Sequence, residues 1–342
     1  MIAFIDGGTT NSRVYLYEHG SVISEGWKKV GVKDTAIDGH NKQLQQAIYE
    51  AVMEAAAAVH RPVDDIDCFI TSGMITSELG LLEIPHLIAP VNKQDLAQAI
   101  VRVQDTTIFP FDIPVFFIRG IKNRLDYVHT SINQLRNMDF MRGEEVQVAG
   151  ILDKYQPTLP VNILIIGSHT KLIHINQAGD IAGSLTTISG QFYEALINGT
   201  FIGKCTVDDG KSEPLFDLDD IIDIAVEAVD NSCLLRALLM PRFMHVLMES
   251  TAKDRRNFIN ACIAAEDIKI LNESDFLGFT AETDYYLFGN AYVCDIYRRL
   301  LERKFENRIS VHSLTDKKQI RDLTISGSLA IAKAAGVIDE FV

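Results

Sequence analysis

The sequence predicts an α/β protein built from two related lobes with a ligand cleft between them. Strands and helices alternate through the first third of the chain, as they do in α/β layers. A strand, a polar glycine turn and a second strand occur twice, at Asp6 and at Gly167. The 342 residues also exceed what one core usually holds. We place the lobes at residues 1–136 and 137–342, and ligand sites favour such interfaces.

The first glycine turn holds a carboxylate at its tip. The apolar run Ile2–Ile5 ends at Asp6, and a β-rich run leads away from Arg13. Glycine lets backbone amides approach an anion closely, and threonine hydroxyls add donors. Asp6 would repel a bare phosphate, so the loop indicates a Mg²⁺ ion in between. An ordinary hairpin stays open, because Asp-Gly is a common hairpin turn. The candidate phosphate ligands are Gly8, Thr9, Thr10 and Asn11.

Further elements of the first lobe end in turns that could line a substrate pocket. The pattern predicts strands at Ser21–Trp27, Asp67–Met74 and Val115–Gly120, and a helix at Lys42–Val59. The candidate substrate-binding residues on these turns are Ser72, Gly73, Met74 and Arg119. A glycine after a strand often only turns the chain, so each signal has that plain alternative.

The second lobe repeats the hairpin design. We expect a helix at Gly143–Ile151, strands at Val161–Ile166 and Leu172–Asn176, and mostly helices from Leu218 to Leu301 around a strand at Tyr285–Phe288. A late strand is expected at Leu323–Ser328, before a terminal helix. Gly289 and Gly327 would approach a purine and ribose, or would be plain turns. In the second loop, Gly167, Ser168, Thr170 and Lys171 are candidate phosphate ligands, and His169 is a candidate substrate ligand.

The densest ionisable cluster lies between the two hairpins, at Met138–Gln147. Phosphoryl transfer to a hydroxyl needs a carboxylate to orient and accept the proton, and positive charge to stabilise the moving phosphoryl group. Glu144 is the first candidate base and Asp139 the second, with Arg142 as a substrate ligand. The alternative is that Asp139 caps the helix and the glutamates merely suit its dipole.

The composition of the chain limits the kinds of partner that we expect it to bind. The net charge of −14, with no basic stripe, argues against nucleic acid. No G-x-x-x-x-G-K-[ST] loop occurs, and no apolar stretch is long enough to span a bilayer. The five cysteines lie far apart, which fits reduced thiols in a cytoplasmic protein. We expect a small-molecule substrate and a nucleotide, with a homodimer left open.

Six segments in order resemble the 2-dehydro-3-deoxygalactonokinases, which are sugar-acid kinases of the actin-like (ribonuclease H-like) superfamily. The distinctive ones are the Met-Arg-Gly-Glu-Glu-x-Gln core at Met141–Gln147 and the Gly-Ser-His-x-Lys turn. The six segments are Asp6–Arg13, Ser72–Val91, Arg119–Gly120, Met138–Gly150, Gly167–Lys171 and Thr186–Gly203. The resemblance implies a two-lobed sugar kinase fold and ATP- and Mg²⁺-dependent phosphorylation of 2-dehydro-3-deoxy-D-galactonate at its 6-hydroxyl.

The chain also departs from the family pattern. Gly7, Leu81 and Leu172 stand where relatives carry tryptophan, and Gln191 replaces a glutamate. We expect the lost aromatics to widen or reshape the substrate pocket. Another sugar acid or a small sugar is therefore an alternative acceptor. A non-catalytic nucleotide-binding relative and a phosphatase are the alternatives from other classes.

Overall fold

The computed structural model describes residues 1–208, 210 and 213–338, and the chain divides into two compact units. Unit 1 comprises Met1–Pro157, Gln177–Ser184 and the chain from Lys318 onward, and unit 2 comprises Thr158–Asn176 and Leu185–Lys317. Unit 1 thus takes segments from both ends of the sequence, which the contiguous lobes of the sequence prediction did not include. The position predicted as the lobe boundary, between residues 136 and 137, falls inside unit 1.

The described residues form strands and helices in the alternation that the sequence predicted. The strands are β1 (Ile2–Gly7), β2 (Ser12–Glu18), β3 (Ser21–Lys28), β4 (Cys68–Gly73), β5 (Leu87–Ile88), β6 (Val101–Val103), β7 (Val115–Phe117), β8 (Ile121–Lys122), β9 (Phe140–Met141), β10 (Val161–Ile166), β11 (Thr170–Ile175), β12 (Ile181–Thr187), β13 (Asp284–Phe288) and β14 (Val311–Leu314). The helices are α1 (Val32–Asp38), α2 (Lys42–Ala58), α3 (Lys93–Gln98), α4 (Glu144–Tyr155), α5 (Ser189–Gly199), α6 (Leu218–Asn231), α7 (Leu234–Ala237), α8 (Met240–Leu247), α9 (Ala252–Asp267), α10 (Ser274–Leu277), α11 (Ala291–Lys304) and α12 (Lys317–Ala334).

The main sheet of unit 1 has the order β3-β2-β1-β4-β7-β6. Strands β1 and β2 form an antiparallel hairpin, whereas β4 and β7 run parallel to β1. The central strand β1 is buried on both faces, as its continuous apolar run predicts. Helix α2 covers this sheet with its small and branched apolar face. The carboxyl ends of β1, β4 and β7 therefore lie at one edge of the sheet.

The sheet that belongs mainly to unit 2 repeats this topology. Its order is β12-β11-β10-β13-β14, with an antiparallel β10–β11 hairpin and with β13 and β14 parallel to β10. The strand order around the hairpin is the same in both sheets. A glycine with positive φ stands at the end of the strand that runs parallel to the first hairpin strand in each sheet. Strand β4 ends in Gly73, with φ of +94°, and Gly289, with φ of +153°, directly follows β13. The repeated plan predicted from the two glycine turns is confirmed.

One predicted element is wrong. Leu323–Ser328 is not a strand and turn but lies in the middle of the 18-residue helix α12. Gly327 lies where a Cβ would overlap the carbonyl oxygen of Val146 in α4, and Gly150 of α4 meets Leu323 in the same way. Two glycines thus let α12 and α4 approach backbone to backbone. Tertiary packing overrides the β-propensity of Thr324 and Ile325.

This close packing makes Gly327 intolerant of even one added carbon. Gly327→Ala should lower the thermal midpoint, because overpacking typically costs about 1–3 kcal/mol and exceeds the helix propensity that alanine gains. Gly199→Ala is the matched control, since Gly199 also lies in a helix but no atom lies within 4 Å of the site of its Cβ. Melting curves that shift equally for both variants would contradict the packing role.

Candidate active site

The Asp6 loop holds its carboxylate against an arginine on the neighbouring strand. Asp6 pairs with Arg13 across the β1–β2 ladder, and the Arg13 Nη1 donates to the Asp6 Oδ2 at 3.0 Å. Burial raises the pKa of Asp6, while the Arg13 charge opposes the rise. The turn closes through the Gly8 amide, which donates to the Asn11 carbonyl at 2.9 Å. Asn11 also donates its side-chain amide to the Thr10 hydroxyl.

Helix α1 braces this loop from behind. The Val32 amide donates to the Gly8 carbonyl at 3.3 Å, and the Lys33 amide donates to the Thr9 carbonyl at 3.0 Å. The side chains of Thr9 and Thr10 are exposed, and their backbone amides make no hydrogen bond to the described residues. The loop therefore has amide and hydroxyl donors available to an anion.

Two glycines bring the start of α4 to the end of β1. A Cβ on Gly73 would lie 2.7 Å from the Gly7 carbonyl oxygen and 3.7 Å from the Asp6 Oδ1. A Cβ on Gly143 would lie 3.2 Å from the Gly73 Cα, and both glycines have positive φ. The backbone of β4 is therefore sandwiched between the Asp6 strand and the amino end of α4. Side chains at that helix end share one edge of the sheet with Asp6.

Two adjacent glutamates at the start of α4 have different surroundings. Glu144 is partly exposed, and its Oε2 accepts the Arg142 amide at 3.0 Å. Glu145 is fully buried, and both its oxygens lie within 2.9 Å of the Gly143 amide. Burial, helped by the negative charge of Glu144, raises the pKa of the Glu145 carboxyl to about 8. Glu145 therefore carries a proton near neutral pH. The sequence did not distinguish Glu145 from Glu144, because burial cannot be read from the local pattern.

The other two charged candidates near α4 are held by the protein itself. Asp139 accepts the Phe140 amide at 2.6 Å and the Ser184 hydroxyl at 3.1 Å. Arg142 donates to the Thr76 hydroxyl at 2.7 Å and to the Ile84 carbonyl at 3.0 Å. These bonds tie the segment after β4 to the start of α4. Both residues therefore have structural partners in unit 1.

Arg119 differs from Arg142 in having no such partner. It follows β7, and within the described chain its side chain makes no hydrogen bond or ion pair. Its Nε is buried, so the group lacks full access to water as well. Ser72 is buried at the end of the adjacent strand β4, and Met74 packs on the core beneath. Arg119 and Ser72 thus lie at the sheet edge that carries Asp6.

The second glycine turn in unit 2 is anchored to helix α5. The Gly167 amide donates to the His169 carbonyl at 3.0 Å, and the Gln191 amide donates to the Ser168 carbonyl at 2.8 Å. A Cβ on Gly190 would overlap the Gly167 carbonyl oxygen, so α5 begins directly on the turn. Two side chains of the turn contact each other, with 3.2 Å between the Ser168 Oγ and the His169 Nδ1.

A cavity of about 690 Å³ opens beside this turn. Of the predicted nucleotide ligands, Gly167 and Ser168 line it, whereas Thr170 and Lys171 do not. Gly289 is next to the lining residue Asn290, and Gly327 lies in unit 1 against α4. The remaining lining residues are Ile166, Ser189, Gly190, Tyr193, Glu194, Lys253, Arg256, Asn257, Asn260, Ile263, Tyr292, Val293 and Tyr297.

Helix α9 supplies a polar face of this cavity that the sequence analysis missed. Lys253, Arg256, Asn257 and Asn260 follow an i, i+3, i+4, i+7 spacing, which places them on one side of a helix. This polar stripe on one face of the helix is the sequence pattern that could have predicted the cavity wall. Arg256 donates to the Thr206 carbonyl at 2.6 Å, which fixes its guanidinium at the cavity wall. The two cations give the cavity a positive side in an acidic protein.

Thr170 and Lys171 do not line the cavity, and their side chains hydrogen-bond inside unit 2. Thr170 is fully buried, and its hydroxyl lies 2.6 Å from the Ser189 hydroxyl. The chain of hydroxyls continues to Tyr297, which donates to the Asp267 carboxylate at 2.5 Å. Lys171 donates to the Thr186 hydroxyl at 2.8 Å and is almost buried. The network joins β11 to the first residue of α5, next to the glycine turn.

The lost tryptophans do not open the pocket as we expected. A Cβ on Gly7 would lie 2.6 Å from the Cβ of Ile75, which is fully buried, so Ile75 occupies that space. Leu81 packs in the core of unit 1, and Leu172 is fully buried in β11. These three positions are therefore core positions, where a smaller residue changes packing and not the lining of a site.

One solved structure shows the fold of this chain over nearly its whole length. A candidate 2-dehydro-3-deoxygalactonokinase from Sinorhizobium meliloti superposes with a TM-score of 0.71 at 20% identity, over 98% of this chain and 99% of that chain. Two other solved structures are less similar: component A of the Acidaminococcus fermentans (R)-2-hydroxyglutaryl-CoA dehydratase (TM-score 0.49, 12% identity, 98% of each chain) and a ROK family glucokinase from Streptomyces griseus (TM-score 0.46, 10% identity, 97% of this chain and 99% of that chain). This chain therefore shares the fold of the Sinorhizobium meliloti structure over nearly its whole length.

The family follows from the sequence. A model of the 2-keto-3-deoxy-galactonokinase family matches residues 6–321, and the chain belongs to that family. No protein of curated function matches it. The chain is therefore a sugar-acid kinase, a phosphotransferase that uses ATP and has an alcohol group as acceptor. Among the described residues, no helix is both long enough and apolar enough to cross a bilayer.

The raised pKa of Glu145 predicts that stability falls with pH. Its folded pKa of about 8 lies above the ordinary value of 4.5, so between these values unfolding releases a proton. The stabilisation is complete at low pH and is lost as pH rises through about 8, with a slope of at most about 1.4 kcal/mol per pH unit. Glu145→Gln should remove this slope, because glutamine does not titrate. The free energy of unfolding of the variant should therefore rise relative to that of the wild type as pH increases from about 6 to about 8.

Denaturant unfolding at several pH values measures the difference. Glu227→Gln is the control, because Glu227 is exposed and its loss should leave a curve parallel to that of the wild type. Parallel curves for Glu145→Gln as well would show that the buried carboxyl is ionised in the folded protein.

Proposed function

We propose that this kinase transfers the γ-phosphoryl group of ATP to the 6-hydroxyl of 2-dehydro-3-deoxy-D-galactonate. The family and the name of the Sinorhizobium meliloti structure support this acceptor. The observation in the molecule that carries the proposal is the position of Arg119. It is a partnerless cation among the described residues, at the sheet edge that also holds Asp6 and the amino end of α4.

Arg119 binds the acceptor carboxylate. A guanidinium presents a planar fork of donors that matches a carboxylate, and such charge-assisted bonds are the strong ones. A half-buried guanidinium without a counter-ion is costly, so an anionic ligand would repay that cost. Because Arg142 is already bonded to Thr76 and Ile84, Arg119 is the better carboxylate ligand. This chemistry favours a sugar acid over a neutral sugar.

Glu144 is the base. In the reaction the acceptor oxygen forms its bond to the γ-phosphorus while the bond from phosphorus to the β–γ bridging oxygen breaks, and ADP leaves. The hydroxyl proton passes to the Glu144 carboxylate. Glu144 suits this role because it is partly exposed at the start of α4, whereas Glu145 is buried and protonated near neutral pH. Asp139 is the second candidate, and its bonds to Phe140 and Ser184 favour a structural role.

Asp6 would hold Mg²⁺ through water. Magnesium keeps several waters and usually takes only one or two carboxylates besides the phosphates, so the donor set at the loop fits. No cluster of three acidic, histidine or cysteine ligands exists among the described residues, which also suits a water-mediated site. The ion would neutralise phosphate charge during transfer. The Thr9 and Thr10 amides and hydroxyls, with the Asn11 side chain, would bind the phosphates directly, and Gly8 closes the turn that presents them.

The cavity of unit 2 receives the nucleoside part of ATP. Its volume suits a small ligand, and Lys253 and Arg256 provide positive charge for a phosphate chain. Gly167 and Ser168 approach the phosphates at the start of α5, where a helix amino end favours anions. Thr170, Lys171 and Gly289 support this turn from behind, and His169 stays a candidate substrate ligand.

Replacing the base should abolish turnover without removing the nucleotide. Glu144→Gln should lower kcat by about 10²–10⁴-fold, the usual range for a general base, while ATP affinity stays within a few-fold. Asp139→Asn is the matched control and should cost thermal stability more than kcat. ADP release with a series of 2-keto-3-deoxy sugar acids measures turnover, and titration calorimetry measures ATP binding. Unchanged turnover in Glu144→Gln together with a large loss in Asp139→Asn would transfer the role to Asp139.

The screen of acceptors also separates the alternatives. ADP release that depends on a sugar acid supports the kinase proposal, and the preferred stereoisomer identifies the acceptor. Phosphate release without any acceptor would indicate a phosphatase, and ATP binding without turnover would indicate a non-catalytic protein.

Arg119 predicts selectivity for the acid. Arg119→Gln should raise KM for the sugar acid by about 10–100-fold, as expected for a lost charge-assisted bond of about 1.5–3 kcal/mol. The KM for ATP should change less than the KM for the acid. Arg102→Gln, on the neighbouring edge strand, is the control and should change neither constant. Equal effects on acid and neutral acceptors would contradict carboxylate binding.

A further inference from the structure

Unit 2 carries an apolar groove that belongs to neither candidate site. The groove has a volume of about 420 Å³ and lies between α6 and α8, over α9. One lining residue, Asp220, is charged, and the others are apolar. The lining residues are Phe216, Asp220, Ile221, Ile224, Met240, Phe243, Met244, Leu247, Met248 and Phe258.

Large apolar side chains project beside the groove. Leu247 is 78% exposed and Leu235 is 76% exposed, and Ile224 and Val246 are also exposed. Three methionines line the groove, and methionine adapts its shape to a partner surface. Contiguous exposed apolar surface of this kind marks an interaction site, unlike single exposed residues. The surface offers both a depression and a protruding ridge.

The charges around the groove are divided between its two sides. Helix α6 and its cap, residues 217–230, carry six acidic residues and no lysine or arginine. Residues 233–248 carry Arg236, Arg242 and His245 and no acidic residue. Within the described chain, Asp220 and Glu227 on the first side form no ion pair, and neither do Arg236 and Arg242 on the second. Each side therefore has charge available for a partner.

We propose that this groove is the interface of a homodimer with two-fold symmetry. In such an interface the same patch meets itself, so the acidic side of one copy faces the basic side of the other. Leu247 of each copy enters the groove of its partner. A surface that carries both halves of its own complement fits a second copy better than a uniformly charged partner. The basic segment also reduces the local repulsion between two chains of net charge −14.

Charge reversal on either side tests the pairing. The wild type should sediment at micromolar concentration with twice the 38.1-kDa chain mass. Asp220→Arg and Arg242→Glu should each sediment as monomers, because each places like charges opposite one another in both halves of the interface. An equimolar mixture of the two variants should restore the dimer, because both halves then join opposite charges. Asp64→Arg, an exposed acidic position in unit 1, is the control and should stay dimeric.

Leu247→Ser should also give monomers, which tests the apolar part independently of charge. Equal thermal midpoints and unchanged turnover in all variants exclude unfolding as the cause. A wild-type chain that stays monomeric up to tens of micromolar would overturn the proposal, and a groove for another protein would then be the explanation. Dimers that persist in all three groove variants, or a mixture that stays monomeric, would overturn it as well.

Discussion

The close approach of the β4 backbone to the end of β1 and to the start of α4 is the constraint that shapes the edge of the unit 1 sheet where these strands end. Gly73 lies between the Gly7 carbonyl and the Gly143 backbone, and no side chain fits there. Because of this contact, the carboxylate at the end of β1 and the amino end of α4 share one region of space. Residues that are far apart in sequence, Asp6 and Glu144, are thereby brought to the same edge. The glycines matter for distance as well as for their backbone angles.

The two units share a strand topology but differ in the residues at the end of the hairpin strand. In both, a glycine with positive φ follows the strand beside the hairpin, at Gly73 and Gly289. The register makes Ile165 of unit 2 the counterpart of Asp6 in unit 1, since each stands one residue before the end of its hairpin strand. The carboxylate is therefore not repeated. Unit 2 instead has a cavity beside its glycine turn, with Lys253 and Arg256 of α9 in the lining.

The sequence predicted those parts that local patterns determine. The hairpins, the strand before Gly73 and the start of α4 follow from apolar runs, glycine turns and a glycine before acidic residues. It did not predict the α12 helix, because β-branched residues and Gly327 suggest a strand unless the partner helix α4 is known. It missed Lys253 and Arg256 because they lie on a helix that looked structural. Burial also could not be read locally, which is why Glu145 was passed over.

The paired glutamates of α4 show how neighbours in sequence acquire different chemistry. Glu144 and Glu145 have the same side chain, but one reaches solvent and the other faces the core. The buried carboxyl keeps its proton and stays hydrogen-bonded to the Gly143 amide. Burial, and the negative charge of Glu144 beside it, both favour the neutral form of Glu145. A protonated carboxyl beneath the helix end thus holds the Gly143 backbone in place, while the side chain of the next glutamate toward the amino end stays partly exposed.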